Sequence, residues 1–600
     1  MGRGGALSTP PPLRPLSVLL SWRHRALPRL AVDAVCLAVL AFACVKQVHA
    51  LELVLDLPLW DEADYLHNGV TLPTRGLPAA EWGPLYSLWY FALSSVWPDP
   101  VALHDGSFRL LLLLTTLAGY VLLRRVEAPP WLALAGMSVY LLSAAPHVLP
   151  RPTMLALLVL LLALVAASFL REPEDFCAVA GLGLLVASFA RPEYFLSFLL
   201  AVGLLVLLLG RRAWKDRAHL PRRLAFAGGC GLVALALLGV LGSPFSDTTH
   251  RRFYAFCQHF AVNYVERTGF QAEPWGECPK VIRAAFGEVD TVGAAARSNP
   301  DAFLVHLRTN LERYPSAFLQ LFFREYGGVS PYPPGALWPP TRREPLEHAG
   351  HLLLLLVAAS PLLLVATKWK HLRAALMKPQ IWRTGGVLLA VLLPVSLSAV
   401  LIAPRTHYLV IQGVMGLAFL AALGSALGEP SSHGRPRLSL GLALVLALAS
   451  PDLSQRQGAS APSRWANRQF VESFRSLGLS ARLAPGEEVG ILDTHGGLVA
   501  YLGPGYRRVP AYRKRPQEPF TAFLRRERVH VFIADARLGQ YENFAQDAEL
   551  QALLKDPGAF GFRVRPLPGT EFQLVLPSAW AEEGAAVMKP PRPEPQAQAR

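Results

Sequence analysis

The sequence predicts a mainly α-helical protein that crosses a membrane many times and carries a small α/β domain near its C-terminal end. Of its 600 residues, 52% are hydrophobic and only 17% are charged, which is too apolar a balance for a soluble protein of this size. Apolar runs long enough to cross a bilayer recur up to about residue 450, and short β-like runs follow them. We therefore expect a polytopic membrane protein with an added domain outside the bilayer.

The apolar runs number about eleven, and each is interpreted as one membrane-spanning helix. They lie near residues 31–55, 107–123, 130–149, 152–170, 176–190, 194–210, 222–242, 349–367, 384–403, 407–427 and 437–450. Together they predict a transmembrane domain over residues 1–450. The basic N-terminus, the first run and Val48-His49-Ala50 loosely imitate a cleaved signal peptide, but the long basic stretch and the many later spans favour an uncleaved first helix.

Basic residues predict the orientation of these spans, because loops rich in Lys and Arg stay in the cytoplasm. With the N-terminus inside, the clusters Arg211–Arg223 and Lys368–Arg383 fall on the cytoplasmic side. The charge thus orients helices, and the net charge of +15 does not indicate a nucleic-acid partner. We expect a multi-pass protein of the cell (inner) membrane. Its external parts would be the loops 56–106 and 243–348, an extracytoplasmic α/β domain over 452–580 and a disordered tail over 581–600.

Two of the external segments carry clear secondary-structure patterns. In the C-terminal region, β-like runs at Val489–Leu492 and Val529–Ala534 alternate with helical patterns at Phe520–Arg526 and Asp547–Lys555, which is typical of a small α/β domain. In the second loop, Asp301–Phe323 has a helical pattern. In the first loop, helical spacing predicts an amphipathic helix in the membrane interface with the face Trp82, Tyr86, Trp89, Leu93 and Trp97.

The cysteines predict at most one disulfide and the sequence offers no metal or cofactor site. Cys257 and Cys278 share the second external loop, where a disulfide can persist, and we expect them to pair. The other four lie in or beside apolar spans, where a thiol acts as a small hydrophobe. The external histidines His67, His259, His306 and His407 are scattered, and no CxxC or HExxH motif is present.

The strongest local signal is the stretch Trp60–Asn68, directly after the first span. If it is helical, Asp61, Asp64, Tyr65 and Asn68 share one face, so acidic and hydrogen-bonding groups converge beside the membrane. Such a face can bind and deprotonate a hydroxyl, or it is simply a solvated acidic helix start. Residues 61–64 also spell the helicase tetrapeptide DEAD, but the chain has no GxxxxGK[ST] loop, which excludes that function.

The acidic pair, followed by the residues 82–86 (Trp-Gly-Pro-Leu-Tyr), resembles the first external loop of GT-C glycosyltransferases, in particular the family of protein O-mannosyltransferases and the lipid A aminoarabinose transferase. Further similarity lies at Arg109, at Arg191-Pro192-Glu193-Tyr194 and at Arg405-Thr406-His407-Tyr408. The resemblance implies a GT-C-like membrane domain and an inverting transfer of a sugar outside the cytoplasm. The donor would be a polyprenyl-phosphate sugar, and the acceptor a hydroxyl of a lipid, glycan or protein.

The same resemblance implies roles for single residues. Asp61 would be the general base, with Glu62 nearby for binding, and guanidinium groups would neutralise the departing lipid phosphate. Arg109, Arg191 and Arg405 are the candidates for that phosphate, although each could equally snorkel at a helix end. The predicted substrate-binding set also contains Asp64, Tyr65, His67 and His407.

A transporter or flippase of a lipid-linked substrate is the alternative function. It would place charge near the bilayer midplane and often has two related halves with broken helices. Here the charged residues lie mostly at span ends and no internal repeat is evident, which favours the enzyme.

The predicted orientation is tested with reporter fusions. Fusions at Arg217 and Lys370 should report a cytoplasmic location, because both lie in the basic clusters that stay inside. Fusions at Glu273 and Ala500 should report an external one. A cytoplasmic signal at Glu273 would contradict the orientation and, with it, the location of the predicted site.

Overall fold

A computed structural model describes residues 16–49, 56–323, 356, 359–428, 436–449 and 466–583, apart from short gaps at 144, 148–150, 249, 485, 495, 516, 535–537, 539–541 and 568–571. The predicted disordered tail lies outside the described residues from 584 onward, as do the Pro-rich residues 331–340 and residues 349–355 of the predicted span 349–367. Within the described part, the protein is mostly helical with one small sheet near the C-terminal end.

The membrane domain has helices at the predicted apolar runs and further helices in the loops between them. Its helices are α1 (Leu16–Gln47), α2 (Asp61–Val70), α3 (Leu72–Arg75), α4 (Pro84–Ser94), α5 (Pro100–Arg125), α6 (Pro130–Leu142), α7 (Pro152–Ala167), α8 (Pro173–Ser188), α9 (Tyr194–Lys215), α10 (Leu220–Leu241), α11 (Arg251–Thr268), α12 (Cys278–Phe286), α13 (Val292–Ser298), α14 (Pro300–Phe323), α15 (359–367), α16 (Leu372–Leu376), α17 (Pro379–Leu401), α18 (Thr406–Leu427) and α19 (Pro436–Ala449). Many begin with proline, whose fixed φ suits the first helical position.

Six of the described helices are long and apolar enough to cross a bilayer, which indicates a membrane protein. They are Leu30–Gln47, Pro100–Arg125, Tyr194–Lys215, Leu220–Leu241, Pro379–Leu401 and Thr406–Leu427. Three shorter apolar helices accompany them at Pro130–Leu142, Pro152–Ala167 and Pro436–Leu448. The predicted count of about eleven spans is therefore not confirmed, because several predicted runs form helices that are too short by this criterion.

Helices α11 to α14 form a unit in the second loop that the sequence predicts to be external. The Cα atoms of Cys257 and Cys278 are 5.5 Å apart and the two residues form a disulfide, which confirms the predicted pairing. Both cysteines are buried in an apolar cluster with Phe256, Phe260 and Phe286. The predicted helix at 301–323 is also present, as α14. The disulfide thus fixes α12 against α11.

The C-terminal domain is a five-stranded mixed sheet flanked by helices. Its strands are β1 (Val489–Leu492), β2 (Tyr506–Val509), β3 (Val531–Ala534), β4 (Phe562–Pro566) and β5 (Gln573–Pro577), and its helices are α20 (Ala466–Arg475), α21 (Phe520–Arg526), α22 (Glu542–Ala545), α23 (Ala548–Lys555) and α24 (Ser578–Glu583). The strand order is β2-β1-β3-β5-β4, with β1 parallel to β2 and β3 and with β5 antiparallel to β3 and β4. The predicted boundaries of β1 and α21 agree with the structure, whereas Asp547 caps α23 instead of belonging to it.

The predicted amphipathic helix of the first loop is shorter than expected. Gly83 adopts a left-handed conformation and Pro84 begins α4, so Trp82 belongs to a separate 3-10 turn and Trp97 lies beyond the helix end. Tyr86 and Tyr90 of α4 are buried against α2 rather than laid on the interface. The aromatic spacing therefore reflects packing against the acidic helix.

The disulfide leads to a stability prediction. Replacing both Cys257 and Cys278 by Ser should lower the free energy of unfolding by about 3 kcal/mol, because the bond closes a loop in the unfolded chain. The measurement is thermal unfolding of the detergent-purified protein with and without reductant. Reductant should lower the melting temperature of the wild type but not of the double variant. Cys230→Ser, which replaces a free cysteine, is the control, and a wild type insensitive to reductant would contradict the prediction.

Candidate functional site

Helix α2 begins at Asp61, whose carboxylate is exposed. Within the part of the chain that the structure describes, this carboxylate has no hydrogen-bond or ion-pair partner. The helix N-terminus favours its negative charge. Asp61 is therefore free to accept a proton or a hydrogen bond from a bound molecule.

Glu62 points the opposite way and is only 1% exposed. Its Oε1 accepts hydrogen bonds from the hydroxyls of Tyr86 and Tyr90, each at 2.6 Å, and its Oε2 accepts the backbone N–H of Arg151 at 2.8 Å. Next to the Glu62 carboxylate, burial raises the pKa of both phenols far above the ordinary value. Both oxygens of Glu62 are thus occupied inside the protein, which indicates that this residue positions α2 instead of touching a substrate.

The buried polar chain continues from Arg151 to the C-terminal domain. The Arg151 guanidinium lies 2.7 Å from His104 Nε2, and His104 Nδ1 lies 3.1 Å from Asp105. Asp105 in turn accepts two hydrogen bonds, at 2.9 and 3.1 Å, from the guanidinium of Arg468 on α20. A continuous hydrogen-bonded chain therefore joins the acidic helix, α5 and the C-terminal domain.

Asp64, a half-buried acid of α2, is paired with the C-terminal domain. Arg508 on β2 donates to Asp64 Oδ1 at 2.9 Å. Burial raises the pKa of Asp64 to about 6, with Arg508 opposing the shift and Asp61 adding to it. On the next turn, burial and two nearby arginines lower the pKa of His67 to about 4, so its imidazole is neutral.

Tyr65 contacts Arg251, a site residue that the sequence analysis did not predict. Its buried hydroxyl forms a hydrogen bond with Arg251, the first residue of α11. The Arg251 guanidinium also donates to the carbonyl of Glu81 at 2.8 Å and lies 3.8 Å from the centre of the Trp82 ring. Because Arg251 also interacts electrostatically with Asp61, it places a positive charge beside the exposed carboxylate.

Two of the three predicted phosphate-binding arginines extend this positive region. Arg191 is buried, forms an ion pair with Glu193 at 2.8 Å and lies within electrostatic range of Arg251 and Tyr65. Burial acts to lower the pKa of Arg191, but the Glu193 carboxylate outweighs it and holds that pKa above the ordinary value. Arg405 lies 4.9 Å from the centre of the Trp275 ring.

His407 lies between these two arginines. Its imidazole is 2% exposed, is within electrostatic range of Arg191 and Arg405, and has Nδ1 without a hydrogen-bond partner among the described residues. A band of groups, each interacting electrostatically with the next, thus links Asp61, Arg251, Arg191, His407 and Arg405. The two ends of this band, the free carboxylate and Arg405, come from distant parts of the chain.

Arg109, the third predicted arginine, is exposed on α5, and its role stays a prediction. No group of three or more His, Cys, Asp or Glu that could hold a metal ion occurs in the described part of the chain. Arg251 and Glu81 escaped the sequence analysis because a single charged residue in a long polar loop carries no periodic signal. Glu81, which is 3% exposed, accepts hydrogen bonds from Ser246 and Thr248 and so ties the two external loops together.

Comparisons with known proteins were made by sequence and by structure. No protein-family model matches the chain, and no curated protein matches it by sequence. Two crystal structures of ArnT from Cupriavidus metallidurans are similar in structure, one bound to undecaprenyl phosphate and one in the apo state.

The similarity to ArnT extends over most of both chains, but the sequence identity and the TM-score are low. Both matches cover 91% of this chain and 97% of the other, at 15% and 13% identity and with TM-scores of 0.36 and 0.34. ArnT is the lipid A aminoarabinose transferase, which belongs to the family that the first-loop residues resemble. At these values the likeness identifies neither the donor nor the acceptor of this chain.

The ion pair between Asp105 and Arg468 leads to a stability prediction. Arg468→Met should lower the free energy of unfolding by about 3–5 kcal/mol, because it leaves a buried carboxylate without its cation. Chemical unfolding of the purified protein measures this, and trypsin should cleave the C-terminal domain faster. Adding Asp105→Asn should recover part of the loss. Arg283→Met, in an exposed ion pair with Glu288, should cost under about 1 kcal/mol, and equal losses in the two single variants would contradict the prediction.

Proposed function

We propose that this protein is a membrane glycosyltransferase that moves a sugar from a polyprenyl-phosphate donor to an acceptor hydroxyl on the extracytoplasmic face. The observation that carries the proposal is the exposed carboxylate of Asp61, unpaired among the described residues, which interacts electrostatically with the guanidinium of Arg251. A transfer of this kind needs a base for the acceptor and positive charge for the departing phosphate. The band of residues described above supplies both.

In the proposed reaction, the acceptor oxygen attacks the anomeric carbon of the sugar as the bond from that carbon to the phosphate oxygen breaks. The acceptor proton passes to the carboxylate of Asp61, and the bonding electrons leave with the lipid phosphate. Attack from the side opposite the leaving phosphate inverts the anomeric centre. The reaction consumes no oxidant or reductant, and the carboxylate is regenerated by loss of its proton to water.

The leaving phosphate is assigned to the arginines. A guanidinium presents two parallel N–H donors that match phosphate oxygens, and it stays charged in a buried setting. Arg405 has no carboxylate partner in the described part of the chain, whereas Arg191 shares its charge with Glu193. We therefore assign the main phosphate contact to Arg405, with Arg191 and Arg251 contributing to the local field. Arg109 is retained as a further candidate at the membrane surface.

The remaining predicted residues receive supporting roles. Glu62 holds α2 in place through the two tyrosines, and Asp64 connects the helix with Arg508. Tyr65 orients Arg251, while the neutral imidazole of His67 and the imidazole of His407 offer hydrogen bonds to a sugar or phosphate. The assigned charges all lie at helix ends or in external loops, which supports an enzyme over a transporter with charge at the midplane.

Asp61→Asn tests the base. The amide keeps the shape and much of the hydrogen bonding but does not accept the proton, so turnover should fall by about a hundredfold to ten-thousandfold. The assay supplies a synthetic polyprenyl-phosphate sugar and a membrane extract and follows sugar release and transfer. The amount of inserted protein and the binding of donor should stay near wild type.

The matched control is Asp290→Asn, which replaces an exposed carboxylate of the second external loop outside the site. It should transfer sugar at the wild-type rate. Glu62→Gln should instead lower the amount of folded protein, because it places an amide N–H₂ group among hydrogen-bond donors. Wild-type turnover by a normally inserted Asp61→Asn protein would show that Asp61 is not the base.

A further inference from the structure

A turn of the C-terminal domain lies directly against the first turn of α2. The carbonyl of Gly496 accepts a hydrogen bond from the backbone N–H of Trp60, and Gly497 faces Ala63. Both glycines follow β1, so they come from the opposite end of the chain. The segment that carries Asp61 is therefore held by another domain.

Both positions of this turn require glycine. The φ angles are +78° at Gly496 and +109° at Gly497, where other residues are strained. A Cβ at Gly496 would lie 2.5 Å from the indole of Trp60, and one at Gly497 would lie 2.7 Å from the Cβ of Ala63. Carbon atoms pack at about 3.5–4.0 Å. A side chain at Gly497 would push α2 away by roughly 1 Å, and one at Gly496 would displace the indole of Trp60.

The backbone of Trp60 is strained at the residue before Asp61. Its φ is 62° with ψ of −126°, an uncommon conformation for a bulky residue. Such strain persists only where the surroundings impose it, and here the hydrogen bond to Gly496 does so. Since α2 starts at the next residue, the conformation of Trp60 fixes how the chain enters the helix and, together with the buried Glu62, the direction of the Asp61 carboxylate.

The turn itself is braced from two sides. Asp493, which is 2% exposed, accepts the N–H of Gly497 at 3.0 Å. Arg508 lies against the same glycine and forms the ion pair with Asp64. The turn and the first helical turn of α2 therefore share one set of polar contacts.

We propose that the Gly496–Gly497 turn positions Asp61 for proton transfer, so that the C-terminal domain is a working part of the active site. The proposal rests on the assigned role of Asp61 as the base. The two glycines act through Trp60 and Ala63 and do not touch the substrate.

Gly497→Ala tests the proposal in the full-length protein. It should lower kcat by about tenfold to a hundredfold, since a displacement of about 1 Å at a reacting group costs that much. The donor KM should change much less than kcat, because Arg405, which is assigned the main phosphate contact, belongs to another element. The matched control is Gly486→Ala in the same domain, where φ is +90° and nothing lies within 4 Å of an added Cβ. It carries the same backbone strain and should keep the wild-type kcat.

A second substitution that suppresses the effect of Gly497→Ala on kcat distinguishes a positioning role from a purely structural one. Adding Ala63→Gly to Gly497→Ala removes the colliding Cβ, so kcat should return to within about threefold of wild type while the lowered melting temperature from the strained φ persists. A purely structural role predicts that kcat and melting temperature change together. Wild-type kcat in Gly497→Ala, or no recovery in the double variant, would overturn the positioning role.

If Gly497→Ala does not fold, Trp60→Gly tests the same positioning role. Glycine relaxes the strained φ and keeps the backbone N–H, so folding should be retained while the direction of Asp61 is no longer fixed. We expect kcat to fall at least fivefold with the melting temperature unchanged or raised, and an unchanged kcat would overturn the proposal. A wild-type transfer rate in Asp61→Asn would contradict the base role of Asp61 in the proposed function. This result is distinct from a wild-type kcat in the turn variants, which would contradict only the positioning role of the turn.

Discussion

Glu62 and Asp105 are carboxylates buried between the membrane helices and the C-terminal domain, and such groups are tolerated only when hydrogen-bond donors surround them. The donors come from α4, from the turn before α7 and from α20. Because each donor occupies a different part of the chain, satisfying the two carboxylates fixes these elements relative to α2. The rest of the site depends on this constraint, since removing any donor leaves a buried charge without its partner.

The constraint on Glu62 decides what Asp61 does. Adjacent residues on a helix point about 100° apart, so a helix that buries Glu62 against two tyrosines turns Asp61 outward. The same rotation points Tyr65 toward Arg251 and Asp64 toward Arg508. An acidic pair thus divides into one carboxylate that holds the helix and one that is available to a ligand. The sequence motif has two acids because the two carry different tasks.

The sequence predicted the elements well and the contacts between them poorly. Apolar runs gave the membrane helices, and local patterns gave β1 and α21, because burial and propensity are local properties. The disulfide was predicted because both cysteines share one external loop. The inward turn of Glu62 and the presence of Arg251 were not predicted, since both follow from packing between distant segments. The packing of α4 against α2 was not predicted either, because the aromatic spacing of α4 indicates a buried face but not the element that covers it.

The proposed chemistry explains why such distant segments have to meet. A base and a phosphate-binding cation in direct contact would neutralise each other as an ion pair, as Asp64 and Arg508 do. Keeping the carboxylate of Asp61 unpaired requires that the nearby cations be held by other partners. Arg251 is held by the Glu81 carbonyl, the Trp82 ring and Tyr65, and Arg191 is held by Glu193. Separate elements, each anchored by its own buried contacts, thus keep opposite charges close but apart, and a neutral acceptor with an anionic donor can enter between them.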